Sequence, residues 1–380
     1  MAGMEWQKYE TPCYVIDIES FRQNCMAIKE PFEACWNGRV EFGYSVKTNH
    51  NESLMRYAAE NLNWYIETVS PDEYARACSL VTPERIILNG PCKEEILRKA
   101  YEAGSMLNLD HLSEVETLCR LAAEQPHKAE IGLRLNFDLE ALCPGETTAG
   151  DSVSRFGICY ENGDFGRAVE LLRAAGIEPA GIHLHTSTKS RSERVFRMLA
   201  RKAAELVREY HLQLTYVDMG GGFFGGQKIP GKPEMKDYAI CICEELLQSV
   251  KPDETRLILE PGASVLATSI HYLSRVINTR EIREKRVVTL DGTLLHINPF
   301  MSHRVPPYEL HVGDESPRAK MNAQLVCGST CMENDRFLEL AEAEEIKVGD
   351  LFEFFAAGAY TMAFNSEFIL QPPKVYVINA

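Results

Sequence analysis

Between residues 40 and 260 eight short apolar runs alternate with seven longer amphipathic ones. Strands are expected at 40–46, 64–69, 85–88, 106–109, 131–136, 180–185, 214–219 and 257–260, from their β-branched and period-two texture. Every run but the last is followed by a helix-like one: 52–62, 72–80, 94–103, 113–123, 166–175, 192–210 and 237–250. A further helix over 18–35 precedes the first strand. Eight such units point to a TIM-like (β/α)8 barrel, because each helix can cover the sheet only by returning the chain to a parallel neighbour. A doubly wound open sheet is the alternative, but it does not usually need eight strands.

At 380 residues the chain exceeds one ordinary core, and the texture changes past Pro261. Residues 265–280, 286–295, 351–355 and 374–378 are β-branched-rich and lack helical periodicity. We expect a barrel over 36–265, and a β-rich domain made of 266–380 together with 1–35. The connection 137–164, with Pro144 and several glycines, is long enough to be read as a functional loop.

A net charge of −15 without a long basic run argues against nucleic acid or an anionic membrane as partner. No apolar stretch approaches the roughly 20 residues of a membrane span. The polar, mixed-charge start from Met1 to Thr11 does not read as a signal peptide, so the protein is expected to be cytoplasmic. The twelve cysteines form no paired Cys-x-x-Cys sets, so most are expected to be small buried residues in a reducing compartment.

In a barrel, chemistry collects at the C-terminal ends of the strands. Those ends carry Lys47, Glu67, Asn89, Asp110, Asn136, His185, Gly220-Gly221-Gly222 and Glu260. A lysine ending a buried strand is either a solvated end or a nucleophile. The triple glycine is either a flexible turn or a backbone cradle for an anion. His183 and His185 share one face of a strand, as a metal pair would; no third ligand stands at a suitable spacing, so no metal is expected. A lysine, a phosphate cradle, a flat imidazole and a carboxylate together suit pyridoxal 5'-phosphate.

Seven motifs in order then carry a resemblance. The chain resembles the fold-type III pyridoxal-phosphate decarboxylases, the family of the diaminopimelate and eukaryotic-type ornithine decarboxylases, which share the alanine racemase-like barrel. Val46-Lys47-Thr48-Asn49 is similar to the Schiff-base segment, and Ser154-Arg155-Phe156-Gly157-Ile158 to a Lys-Phe-Gly-Ile loop. His183-Leu184-His185-Thr186-Ser187-Thr188 resembles the strand whose last histidine stacks on the cofactor, and Asp218-Met219-Gly220-Gly221-Gly222 the phosphate loop. Glu260-Pro261-Gly262 resembles Glu-Pro-Gly-Arg with Ala263 in place of the arginine. Gly328-Ser329-Thr330-Cys331 resembles Gly-Pro-Thr-Cys, with Met332 next, where the family has an acid. Gly358-Ala359-Tyr360-Thr361 resembles the segment whose tyrosine contacts the phosphate.

The resemblance implies an amino-acid α-decarboxylase working as a homodimer with shared active sites. It implies Lys47, His185, Glu260 and Cys331 as catalytic groups, and Thr188, Gly220, Gly221, Gly222 and Tyr360 as further cofactor contacts. Arg304 and Tyr308 resemble a clamp for a distal carboxylate, whereas Glu309 and Glu333 suit a distal amine. The expected substrate is diaminopimelate-like; ornithine, carboxynorspermidine, or a siderophore or antibiotic intermediate are alternatives. A racemase of the same fold, a non-catalytic cofactor binder and an inactive relative are the competing classes.

Overall fold

The computed structural model describes residues 6–91, 93–125, 129–302, 307–365 and 367–379. The chain forms two compact units, Asn24–Ser264 and Met1–Gln23 with Val265–Ala380. Strand β1 (Cys13–Asp17) leads into helix α1 (Ile18–Trp36), which passes from one unit to the other.

The first of these units is a closed parallel barrel. Its strands are β2 (Val40–Ser45), β3 (Tyr65–Thr68), β4 (Ile86–Leu88), β5 (Met106–Leu109), β6 (Ile131–Asn136), then β8 (Gly181–His183), β9 (Tyr216–Asp218) and β10 (Arg256–Leu259). Each pairs in parallel with its neighbour, and the ring shuts where Leu257 of β10 lies opposite Val40 of β2. All eight strands fall inside the ranges the sequence predicted or within one residue of them. Strand β7 (Ile158–Cys159) was not foreseen: it lies in the long connection and adds to the end of β6, outside the ring.

Helices α2 (Glu52–Asn61), α3 (Pro71–Cys78), α4 (Glu94–Ala103), α5 (Leu112–Glu124), α7 (Asp164–Ala174), α8 (Glu193–Glu209) and α9 (Met235–Leu246) alternate with the strands, and a short α6 (Leu139–Leu142) lies in the long connection. Local signals start and stop them. Ser70 caps α3 through Glu73 N–H, with Pro71 at the first helical position, and Gly104 ends α4 in the left-handed region. On α8, Val195, Phe196, Leu199, Ala203, Leu206 and Val207 form a buried stripe. Burying each large apolar side chain contributes about 1.5–3 kcal/mol.

The second unit is a sheet in the order β13-β16-β11-β12-β14-β15, built from β11 (Ile270–Ile282), β12 (Lys285–Leu290), β13 (Tyr308–His311), β14 (Lys320–Cys327), β15 (Arg336–Glu344) and β16 (Leu351–Phe354). Strand β1 pairs with β11 and, in parallel, with β17 (Lys374–Ile378). Trp6, Tyr9, Cys13, Val15, Leu273 and Leu351 form its core on one face. The structure departs from expectation at three places. Residues 263–266 are a helical turn, α10 (Ala263–Leu266), and the first C-terminal strand begins only at Ile270. Leu294–His296 is a 3-10 turn rather than the end of a strand. Strands β13, β14 and β15 lie outside the ranges expected from sequence; β15, Arg-Phe-Leu-Glu-Leu-Ala-Glu-Ala-Glu, is rich in helix formers and is strand because it pairs along β14.

No disulfide links the described cysteines, and of these only Cys13, Cys25, Cys143, Cys241 and Cys243 are fully buried, fewer than expected. No described helix is long and apolar enough to cross a membrane.

Candidate active site

Lys47 lies two residues past the end of β2, and its amine reaches Glu67, which sits on the adjacent β3. Nζ lies 2.9 and 3.0 Å from the two carboxylate oxygens. Asn89, one residue past β4, donates one amide hydrogen to Glu67 Oε1 at 3.2 Å and the other to Glu260 Oε1 at 2.6 Å. Glu260 follows β10 directly. Four strand ends therefore converge through side chains alone.

Glu260 lies in a second cluster with His183 and Asp218. His183 Nε2 is 3.3 Å from Glu260 Oε2. Burial alone would raise the Glu260 pKa; His183 and then Lys47 outweigh it and hold the carboxyl well below the usual range. Burial lowers His183 itself, so its service to Glu260 is as an N–H donor. Asp218 goes the other way: burial, then the Glu260 charge, raise it well above its ordinary value. Burial and mutual repulsion thus push the pair apart, Glu260 towards its anionic form and Asp218 towards its protonated one.

His185 is partly buried, and burial followed by the Lys47 and Arg134 charges pushes it well below the ordinary histidine value. It is a neutral imidazole whose Nδ1 accepts the Gly221 N–H at 3.1 Å. Its ring lies 6.3 Å from that of His183, nearly parallel, but the two take different partners. Arg134 of β6 holds this strand end in place: it donates to Asp110 Oδ1 and to the His185 carbonyl, each at 3.0 Å, under the Phe156 ring. Asp110 Oδ2 accepts the Gly157 N–H at 3.1 Å, which ties down the long connection.

The glycine loop differs in detail from a simple cradle. Gly220 N–H donates to Asp218 Oδ1 and Gly221 N–H to His185, so two of the three amides are turned inward. A Cβ on Gly220 would overlap His185, and one on Gly221 would overlap the Glu260 carbonyl. Those two glycines allow close packing. Gly222, at φ +98° and with only the Phe196 ring tip in ordinary contact range of a Cβ there, makes no described hydrogen bond and is the amide left to meet an anion. Ser264 Oγ, buried and unpartnered, lies on the segment that Gly225 packs against. A close-packed loop with a spare amide and an orphaned hydroxyl fits a phosphate-bearing cofactor. Thr188, also in this unit, caps the Arg191 N–H at 3.2 Å through its hydroxyl.

The remaining predicted residues lie in the sheet unit. Cys331 is exposed, on a loop organised by buried Asp335, which accepts the Thr330 amide and hydroxyl and the Leu294 amide. Glu333 is nearly fully exposed and pairs with Arg336 at 3.2 Å. Tyr360 sits at φ +60°, a left-handed conformation that is costly for a tyrosine. Tyr308 and Glu309 are adjacent on β13 and so point to opposite faces. Glu309 joins the face of Glu353 and His311, whereas the Tyr308 ring packs on Phe352 and Phe354. No single site on either face can use both. Arg304 lies outside the described residues.

Glu67, Asn89, Asp218 and Arg134 have roles that only the folded chain makes visible. The first two were visible as strand ends and Asp218 inside a motif, but only closure of the ring reveals their partners. Arg134 carried no signal beyond being a charge in an apolar strand.

Residues 18–267 match the family described as pyridoxal-dependent decarboxylase, pyridoxal binding domain. The chain is 28% identical to diaminopimelate decarboxylase of Archaeoglobus fulgidus, over 95% of this chain and 86% of the relative. The structure resembles that of Helicobacter pylori diaminopimelate decarboxylase complexed with L-lysine, with a TM-score of 0.80, 23% identity, and 98% of this chain and 93% of that one covered. It also resembles an arginine decarboxylase of Paramecium bursaria Chlorella virus bound to agmatine, at TM-score 0.78 and 21% identity, covering 97% and 96%.

Proposed function

The chain belongs to the pyridoxal-dependent decarboxylase family, and from that premise we propose that it removes the α-carboxylate of an extended amino acid with a polar distal end, most closely diaminopimelate. The observation that carries this reading is the convergence of Lys47, Glu67 and Glu260 at the C-terminal ends of neighbouring strands, joined through Asn89. The relatives named as diaminopimelate decarboxylases supply the choice of substrate.

Pyridoxal 5'-phosphate, when bound, supplies an electron sink for the pair left behind as carbon dioxide departs. Lys47 is the amine that would hold it, and Glu67 fixes that amine over the barrel mouth and stands within reach of its proton. Glu260 is anionic and buried, suited to keeping a proton on a ring nitrogen through a charge-assisted bond. Neutral His185 offers a flat face without adding a competing positive charge. Gly222 N–H, with Thr188 and Tyr360, would receive the phosphate. Cys331 would return a proton to the α-carbon in a homodimer with shared sites, for which its exposure leaves the thiol accessible. Arg304, Tyr308 and Glu333 are the proposed contacts for the distal end of the substrate.

A panel of diaminopimelate, ornithine, arginine and carboxynorspermidine tests the proposal, read as carbon dioxide released and product formed. Diaminopimelate should turn over fastest and yield lysine, and Arg304→Ala should raise its KM. Inverted stereochemistry without carbon dioxide would make the protein a racemase and end the decarboxylase reading.

A further inference from the structure

The polar chain that reaches Glu260 does not stop at Asn89. Asn89 Oδ1 accepts from Asn108 Nδ2 at 2.8 Å, and Asn108 Oδ1 accepts from the Tyr216 hydroxyl at 2.8 Å. These residues belong to β9, β5 and the end of β4, so the chain crosses the barrel interior. All three side chains are buried.

We propose that Asn89 is a positioning residue: it ends a one-way hydrogen-bond relay from Tyr216 and clamps Glu67 and Glu260 in their working geometry. The inference rests on the proposed function, since it concerns the groups assigned there to the lysine and to the cofactor ring.

The direction of the relay follows from chemistry. An amide nitrogen only donates, so Asn89 Nδ2 gives one hydrogen to the Glu67 oxygen and the other to the Glu260 oxygen. Asn89 then has only its carbonyl left, Asn108 must donate to it, and the Asn108 carbonyl can be met only by a donor. The Tyr216 hydroxyl is that donor, and burial raises its pKa well above the ordinary value, so it keeps its proton. The barrel is built to hold this line. A Cβ on Gly132 would overlap the Tyr216 hydroxyl and Asn108, and one on Gly181 would overlap the Tyr216 ring. Glycine at both places gives a tyrosine room where barrels ordinarily stack apolar layers.

The clamped carboxylates face a defined set of charges. Glu260 meets His183, Lys47, His185 and Asp218; Glu67 meets Lys47, with His183, Asp218 and Glu73 of α3 also within electrostatic range. Without Asn89 the two carboxyls lose their shared donor, a hydrogen bond that favours their anionic forms, and the negative charge held near Lys47 falls. A cation held on Lys47 would then lose its proton at lower pH.

The test uses the full-length protein reconstituted with pyridoxal 5'-phosphate. The absorbance of the bound chromophore is titrated against pH in the wild type and in Asn89→Leu, Asn89→Ser and Tyr216→Phe. Cofactor Kd and thermal midpoint are measured alongside. Asn89→Leu should move the chromophore midpoint down by about one pH unit or more. Asn89→Ser, which can donate to only one acid, and Tyr216→Phe, which removes only the far end of the relay, should move it the same way by less. Variants that melt earlier but titrate and bind cofactor as the wild type does would reduce Asn89 to a packing residue and overturn the inference alone. A wild type that forms no chromophore would overturn the proposed function and this inference with it.

Discussion

Lys47 Nζ stands 2.9 Å from Glu67 Oε1, and the lysine is about one-third exposed whereas the glutamate is fully buried. The acid is buried and the amine reaches it from a partly exposed side chain, so Glu67 is the anchor that aims the nucleophile. Removing the anchor should misdirect Lys47 without destroying it. Borohydride reduction of the cofactor-loaded protein, followed by peptide mapping, should label Lys47 in the wild type and label it less completely in Glu67→Ala. Label on another lysine would remove Lys47 from the site.

Glu260 should matter more to turnover than to cofactor affinity, because an anion beside the ring nitrogen gains most as charge develops. Glu260→Gln keeps the shape and can still accept from Asn89. We expect kcat to fall by about 10²–10³-fold, with cofactor Kd nearly unchanged. Steady-state kinetics and a fluorescence titration of the cofactor check the two halves. Full turnover in Glu260→Gln would end the electron-sink role.

Cys331 and Lys47 can be tested together. Lys47→Ala and Cys331→Ala are each expected to be inactive alone. If the active sites are shared in a homodimer, co-refolding the two should restore part of the activity, up to about a quarter when subunits mix at random and one mixed site is intact. No recovery would place a complete site within one chain.

In the sheet unit, His296 supplies a pH signature unrelated to catalysis. It is buried, its Nδ1 is 2.7 Å from the Tyr272 hydroxyl, and burial lowers its pKa to about 4. The folded value is depressed, so the neutral form is favoured by folding. That stability is present above the unfolded value of about 6.5 and is lost as pH falls towards the folded one. The loss is about 3 kcal/mol at most, from about 1.4 kcal/mol per pH unit. His296→Gln should flatten the stability–pH curve between about pH 6.5 and 4 in urea melts followed by tyrosine fluorescence. An unchanged slope would mean that His296 titrates normally.

What the sequence settled was periodic or local. The eight strand–helix units were readable because a buried parallel strand leaves an apolar run and a covering helix leaves a stripe, as on α8. The motif residues were readable as well: Lys47, His185, the glycines and Glu260 all lie at strand ends. The tertiary structure decided what periodicity cannot encode. Strand β15 carries helix formers and became strand through its partner β14. Tyr308 and Glu309, neighbours in sequence, were sent to opposite faces by the pleat of β13. Gly220 and Gly221 proved to serve packing, with only Gly222 left for an anion. The opposed shifts of Asp218 and Glu260, and the line from Tyr216 to Asn89, exist only because the barrel brings separate strand ends together in a water-poor interior, Tyr216 to Asn108 across 108 positions and Asn89 to Glu260 across 171. Sequence fixes which groups are present; distance and burial fix which of them carry charge.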